Sequence, residues 1–323
     1  MLCPFLIVFF CYYIIMEKSL KKSILKTVTF FNLFDYPLTE LEIWKFLYSP
    51  KKQYSLSEVR SVLKLNPPNI ETYQGFYFLK GQREIIEIKH LRYKESFIKF
   101  KKAKRVAKIF SVIPFIQLIA IGNFIPENNT KKESDIDFFI VTKKNRIWVT
   151  RAICVALIII LKLRPTKKNK RNKICLTFYT TDQALSFKNL ILPKNEGVGD
   201  LYLFYWIATL YPLYNIDKTY EKFIKENSWL KNYLPNLLPV IPSQKRRVDS
   251  KFKCFILQVF NFNFWEKFTK KIQLKILPSN LKNMANYDTR VILNDSMLKF
   301  HDQDSRKEYQ NKFITTLQKY EIK

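Results

Sequence analysis

Two aspartates placed two positions apart, Asp135 and Asp137, are the residues of this sequence best suited to chemistry. They open an apolar run, Asp-Ile-Asp-Phe-Phe-Ile-Val, which is typical of a buried strand. Because residues i and i+2 of a strand project from one face, the two carboxylates should lie side by side. Adjacent carboxylates repel one another unless a cation lies between them, and Mg2+ is commonly bound by one or two carboxylates and phosphate oxygens. The pair therefore predicts a site for Mg2+, or for Mn2+.

A glycine turn before this strand completes the predicted site. An apolar run at 115–121 has the composition of a second strand and ends in Gly122-Asn123, followed by a polar loop. Glycine lets a phosphate approach the backbone closely, and a small polar side chain can bond a phosphate oxygen. We therefore expect Gly122 and Asn123 to contact the phosphates of an NTP, in a geometry suited to in-line attack on the α-phosphate.

The elements needed to position these residues follow from periodicity and capping signals. Capping boxes begin at Thr39 and at Ser55, and two short β-prone runs flank Gln74-Gly75, so three helices and a hairpin predict a winged helix. A nucleic-acid contact through Arg60 and Lys64 is one interpretation, and a packing or protein-interaction module is the other. The site itself should be framed by a basic helix at 83–112, a helix at 145–163 and a strand at 173–180.

The combination of Gly122-Asn123, an eleven-residue spacing and Asp135-Ile136-Asp137 resembles the nucleotidyltransferase superfamily with the DNA polymerase beta-like fold. The resemblance covers about residues 95 to 182. It implies metal binding by Asp135 and Asp137, and transfer of a nucleoside monophosphate from an NTP to an acceptor hydroxyl. The acceptor is unknown: a small molecule, a protein or an RNA end.

Two departures from the family pattern leave an alternative open. Asn123 stands where the family has serine, and the strand expected to carry a third carboxylate, at 173–180, contains no acid. Thr177 lies on that strand and Asp182 follows it. The alternative is a catalytically degenerate protein that acts as a winged-helix module for nucleic acid or a protein partner.

Composition narrows the classes further. The 323 residues carry 56 Lys and Arg against 27 Asp and Glu, a net charge of +29, but the lysines are spread along the whole chain. A hydrophobic content of 47% excludes general disorder. With His90 and His301 as the only histidines, a His-rich metal site or a Ser-His-Asp triad is not expected. Five cysteines without a CxxC pair indicate buried thiols in a reducing compartment, so we expect a cytoplasmic protein.

The sequence predicts an α/β protein in four segments. An apolar extension at 1–16 would be a misassigned start before Met16, a weak anchor or a buried element, and membrane contact through residues 2–16 is the less favoured alternative. The remaining segments are a winged helix at 17–82, a small mixed-sheet nucleotidyltransferase core at 83–184 and a helical C-terminal region at 185–323.

Overall fold

Apolar strands at the centre of the sequence form the middle of a six-stranded sheet. The computed structural model describes residues 4–122, 128–166, 168–240 and 251–320. Within this part of the chain the helices are α1 (Pro4–Asn32), α2 (Glu40–Lys45), α3 (Leu56–Lys64), α4 (Ile85–Phe110), α5 (Ile147–Ile160), α6 (Leu201–Ala208), α7 (Thr219–Glu226), α8 (Lys251–Phe260), α9 (Asn263–Ile276), α10 (Ser279–Met284) and α11 (Arg306–Lys319). The strands are β1 (Leu38–Thr39), β2 (Ile70–Tyr73), β3 (Phe76–Leu79), β4 (Ile116–Ile121), β5 (Ile136–Thr142), β6 (Ile174–Thr181), β7 (Tyr211–Asn215), β8 (Val291–Leu293) and β9 (Met297–Phe300).

The strands form two sheets, which together with the helices confirm the α/β class. The small sheet has the order β1-β3-β2, and the large sheet has the order β7-β4-β5-β6-β9-β8. The large sheet is mixed, because β5 and β6 pair in parallel while its other neighbouring strands pair antiparallel. The parallel pair is joined through α5, as a parallel connection requires a crossover.

Each face of the large sheet is covered by its own apolar core, so alternate residues of β5 face opposite cores. Ile136 and Phe138 pack with α4 and α5, while Phe139 and Val141 pack with α1, α6 and α11. The carboxylate of Asp137 therefore belongs to the face that carries α6. Apolar packing covers most of this face, and the aspartates lie where that packing ends.

The two capping boxes form as predicted and fix the starts of two N-terminal helices. Thr39 accepts from the Glu42 amide while Glu42 accepts from the Thr39 amide, and Ser55 and Glu58 repeat the arrangement at α3. Helix α3 is amphipathic and buries Val59, Val62 and Leu63. These residues belong to the same core as α6 and α11, so the N-terminal elements pack directly onto the rest of the chain.

The C-terminal region is not only helical, and this corrects the sequence prediction. Three strands, β7, β8 and β9, come from residues beyond 185, and they complete the large sheet at both of its edges. Within the region expected to be helical, α6 ends at Ala208 and an edge strand containing Pro212 follows. A short, uniformly apolar run does not distinguish helix from strand by its periodicity, and proline is tolerated on an edge strand.

The predicted apolar extension coincides with the first half of α1, whose side chains lie outside the described residues. The alternatives for residues 2–16 therefore stay predictions. Within the described part of the chain, no helix has the length and apolar composition needed to cross a membrane.

Candidate functional site

The start of the central parallel strand pair brings together two carboxylates and a thiol. Asp135 lies just before β5, Asp137 is its second residue, and Asp137 is in register with Cys175 on β6. One ligand atom from each of these three residues lies within 4.8 Å of the others. All three residues are half-buried. The predicted pairing of Asp135 and Asp137 is thus present in the structure, with a sulfur atom beside it.

A buried lysine holds the loop that leads into Asp135. Lys99 on α4 is fully buried, and its Nζ donates to the carbonyl of Ser134, to Ser134 Oγ at 3.0 Å and to the Lys132 carbonyl at 3.3 Å. The backbone N–H of Asn172 also donates to the Ser134 carbonyl, at 3.3 Å. Burial lowers the pKa of Lys99, while the nearby Glu95 and Asp135 raise it. The ammonium group therefore fixes the residue immediately before the first aspartate.

Cys175 is held in a polar chain that crosses to β9. Its Sγ–H donates to Thr177 Oγ1 at 3.4 Å, and Thr177 Oγ1 lies 3.2 Å from His301 Nε2. Burial raises the pKa of Cys175 well above its usual range, and the charges of Asp137 and Asp135 add to this effect. The thiol is therefore protonated at neutral pH as long as no cation lies beside it.

A cavity of about 380 Å3 opens above the three residues. Its walls come from β5, β6, α6 and the end of β9. The polar or charged lining side chains are Asp135, Asp137, Lys170, Cys175, Thr177, Tyr202, Lys299, His301, Asp302, Gln303, Asp304, Ser305 and Arg306. The apolar part of the lining includes Trp206, whose ring stacks on Phe178 with centroids 5.4 Å apart. A cavity of this size holds a small ligand with one apolar and one polar side.

A buried ion cluster contributes Lys299, Asp304 and Arg306 to one wall of the cavity. Arg306 donates to Asp200 at 3.0 Å and to Asp304 at 2.9 Å, and Lys299 donates to Asp304 at 3.2 Å. Burial raises the pKa of Asp304, but the hydrogen bonds and charge of Arg306, together with the charge of Lys299, outweigh burial and lower that pKa to about 2. Burial lowers the pKa of Lys299 to about 8, so this ammonium is only weakly stabilised. Two cations and two carboxylates thus balance in charge within the wall.

The predicted phosphate turn has a neighbour that the sequence did not reveal. A Cβ placed on Gly122 would lie 2.9 Å from Trp206 Nε1, so the glycine leaves room for the indole. Asn123 lies outside the described residues, and its predicted phosphate contact stays a prediction. Lys170, in the segment before β6, lines the cavity.

Other sequence candidates lie far from the cavity. Asp182 follows the far end of β6, where its carboxylate accepts from the Lys144 amide at 3.0 Å, so it does not reach Asp135 and Asp137. Lys143, Lys144 and Arg146 also follow the far end of β5, away from Asp135 and Asp137. Arg146 instead donates to the Asn261 carbonyl.

Sequence reasoning missed three residues at the site: Cys175, His301 and Trp206. Cys175 lies in an apolar run that suggested a buried thiol, and only the strand register shows that it faces the aspartates. His301 directly follows β9 and Trp206 belongs to α6, and no local sequence signal places either element beside β5 and β6. Strand alternation on 173–180 was the one sequence signal that bears on Cys175, because it places Cys175 and Thr177 on the same face of the strand.

Comparison with known proteins adds no assignment: no family model, no curated protein and no solved structure matches the chain.

The donor set of the site fits a divalent cation. Two carboxylates and a thiol converge from adjacent strands, and such atoms are ligands of divalent metals. Asp137 belongs to strand β5, and Lys99 holds the residue before Asp135 through its hydrogen bond to Ser134. Asp135, Asp137 and Cys175 are therefore the side chains that could hold a divalent cation.

Proposed function

We propose that the protein is a nucleotidyltransferase that uses Mg2+ or Mn2+ to transfer a nucleoside monophosphate from an NTP to an acceptor hydroxyl. The observation that carries the proposal is the convergence of Asp135 and Asp137 at the floor of a cavity large enough for part of a nucleotide. In this proposal residues 83–184 supply the transferase core. The core is extended by strands from beyond residue 185, which the family resemblance did not include.

Asp135 and Asp137 would hold the cation, which supplies charge neutralisation at the phosphate oxygens when bound. Lys170 lines the same cavity and can pair with a further phosphate oxygen. The stacked Trp206 and Phe178 rings offer an apolar surface on which a base or an acceptor ring can pack. These roles need only the side chains that line the cavity.

The reaction requires that the acceptor hydroxyl lose its proton as its oxygen attacks the α-phosphorus and pyrophosphate leaves. The family uses a third carboxylate for this step, and Cys175 occupies the neighbouring strand position here. Two side chains at the end of β9 can accept the proton: His301 and Asp302, which both line the cavity. Asp302 already accepts from Asn280 Nδ2 at 2.9 Å.

The direct test is transfer of label from each α-labelled NTP, with Mg2+ or Mn2+, to the protein itself, to RNA ends and to pooled small hydroxylated metabolites. Asp137→Asn should abolish transfer and metal-dependent nucleotide binding, because one of the two carboxylate ligands loses its charge. Asp182→Asn is the matched control, since it alters an aspartate at the far end of the same strand pair. A wild-type protein that binds no NTP with either cation would contradict the proposal.

A second function is favoured by the absence of a third carboxylate among the described ligand atoms that converge with Asp135 and Asp137. In that case residues 17–82 act as a winged-helix module, supported by the order α1, α2, α3 and then the β2–β3 hairpin. Arg60 is already paired with Glu40 at 2.8 Å, which reduces the charge that α3 can offer to a phosphate backbone. Salt-dependent DNA binding that is lost in Arg60→Ala would support this function.

A further inference from the structure

Cys175 lies beside Asp135 and Asp137, because the register of β5 and β6 places its side chain next to theirs. Asp137 and Cys175 are paired residues of the parallel strands β5 and β6, and Asp135 lies two residues before Asp137. Three ligand atoms, two oxygens and one sulfur, come within 4.8 Å of one another. A single cation can therefore contact all three.

We propose that Cys175 is the third protein ligand of this centre and that its sulfur makes the site prefer thiophilic divalent ions, such as Zn2+, Co2+ or Cd2+, over Mg2+. Binding breaks the S–H bond, forms a bond from the sulfur to the metal and releases the proton to solvent. The inference rests on the proposed function only for the location of the cation.

The reason for the preference is the chemistry of the donor atoms. Mg2+ is a hard cation that takes oxygen ligands in a near-octahedral arrangement and keeps several waters. A thiolate is a soft ligand that selects softer ions, and carboxylate oxygens accept both classes. Substituting sulfur for the third oxygen should therefore weaken Mg2+ binding more than it weakens binding of Zn2+ or Co2+.

Thr177 and His301 provide an independent indication that the cavity is built for a polar ligand. Thr177 Oγ1 bonds the Cys175 sulfur on one side and lies 3.2 Å from His301 Nε2 on the other. The Nδ1 atom of His301 is buried without a hydrogen-bond partner among the described residues, although the ring lines the cavity. Such a chain orients the sulfur, as hydrogen bonds behind metal ligands commonly do.

The test is titration of the metal-free full-length protein with Co2+, followed by absorption in the near ultraviolet, where thiolate-to-cobalt charge transfer appears. Wild type should show the band, and Cys175→Ser should lose it. The serine variant should also bind Co2+ at least about tenfold more weakly, because loss of a residue that only supports a metal ligand already costs about that much in affinity. Cys154→Ser, at a buried cysteine of α5, and Cys254→Ser, at an exposed cysteine, are the controls and should keep the band.

A second variant reverses the preference. Cys175→Asp supplies a third carboxylate, so calorimetric titration should show an affinity for Mg2+ about tenfold higher or more than that of the wild type. The variant should still bind Co2+, but without the charge-transfer band. Should the serine variant fail to fold, alkylation of wild-type Cys175 followed by mass spectrometry replaces it. Bound Zn2+ should then protect Cys175 while Cys254 remains reactive.

Three results separate this inference from the proposed function. Cobalt binding without a sulfur band, or a band that survives in Cys175→Ser, overturns the role of Cys175 even if label transfer from NTP succeeds. A sulfur band that depends on Cys175 upholds the centre even if no NTP is bound, and the transferase proposal alone is then contradicted. A wild type that binds neither Co2+ nor Zn2+ overturns the inference outright.

Discussion

The indole of Trp206 fills the space where Gly122 lacks a side chain, since a Cβ there would lie 2.9 Å from Trp206 Nε1. Gly122 is thus required for packing as well as for any approach of a ligand. We expect Gly122→Ala to cost about 1–3 kcal/mol in the free energy of unfolding, because the ring must shift within a stack that includes Phe178. Chemical denaturation measures the loss.

The companion experiment combines Gly122→Ala with Trp206→Phe, whose smaller ring frees the space beside position 122. If the clash is the cause, the double variant should be less destabilised than the sum of the two single changes. Strict additivity of the two costs would show that the contact with Trp206 is not the reason for the loss.

Lys99 is a positioning residue, and its removal should affect the site more than the fold. Lys99→Met keeps the length of the side chain but removes three hydrogen bonds to the Lys132–Ser134 segment before Asp135. We expect about a tenfold loss of divalent-cation affinity. The free energy of unfolding should change little, because the desolvation cost of a buried ammonium is removed as well. Calorimetric metal titration and urea denaturation measure the two quantities.

Lys108→Met changes an exposed lysine of the same helix and should leave the metal affinity unchanged. Equal affinities in Lys99→Met and wild type would mean that Ser134 is held well enough by the Asn172 amide alone.

Arg306 should be among the residues most sensitive to substitution. Its side chain is 5% exposed and its partner Asp200 is 1% exposed, so Arg306→Met leaves a carboxylate buried without its cation. Breaking a buried pair in this way costs about 3–5 kcal/mol. Arg60→Met, at an ion pair whose arginine is 52% exposed, is the control and should cost at most about 1 kcal/mol.

Adding Asp200→Asn to Arg306→Met should restore part of the loss, because the orphaned charge disappears. A loss for Arg306→Met as small as that of the exposed control would contradict the view that this wall of the cavity depends on charge pairing. Urea denaturation of the wild type and the three variants supplies the comparison.

His301 should make stability dependent on pH in the mildly acidic range. Burial lowers the pKa of His301 to about 4, with Lys299 and Arg306 acting in the same direction and Asp304 opposing them. In the unfolded chain histidine takes up its proton near an ordinary pKa of about 6.5, whereas the folded ring takes it up only near 4. Stability present above about pH 6.5 is therefore lost as the pH falls toward 4, by about 2 kcal/mol between about pH 7 and about pH 5.

His301→Gln should flatten this part of the profile, as seen in denaturant midpoints at the two pH values. His90→Gln alters an exposed ring and should keep the wild-type slope. An unchanged slope in His301→Gln would show that the ring is protonated as easily in the folded protein as in the unfolded chain.

The residues that the sequence located correctly are those with a local signal. Asp135 and Asp137 share a face because strand alternation is a property of consecutive residues, and α3 begins at Ser55 because its capping box spans four positions. The class of the fold follows from the same local patterns. Whether the arrangement belongs to the nucleotidyltransferase superfamily stays a prediction.

What the sequence did not show depends on distant contacts. Lys99 belongs to a helix dense in lysine, a residue that is usually exposed. It is nevertheless buried, because Ser134 supplies hydrogen-bond acceptors from another part of the chain. Cys175 and His301 face the aspartates only because three strands from separate segments pair side by side. No periodicity within one segment encodes that register.

The pairing of β6 with β9 has a consequence for how the protein reaches its native state. Thr177 and His301 are 124 residues apart in sequence yet are adjacent in space. Closing so long a loop costs chain entropy before the contact offers any stabilisation, and non-local strand pairing of this kind slows folding. Asp137 lies on the β4–β5 pair, which is local in sequence, whereas the cavity residues that follow β9 reach the site only when β9 pairs with β6. Until β9 pairs with β6, the edge of β6 exposes unpaired backbone groups, which favour aggregation during refolding.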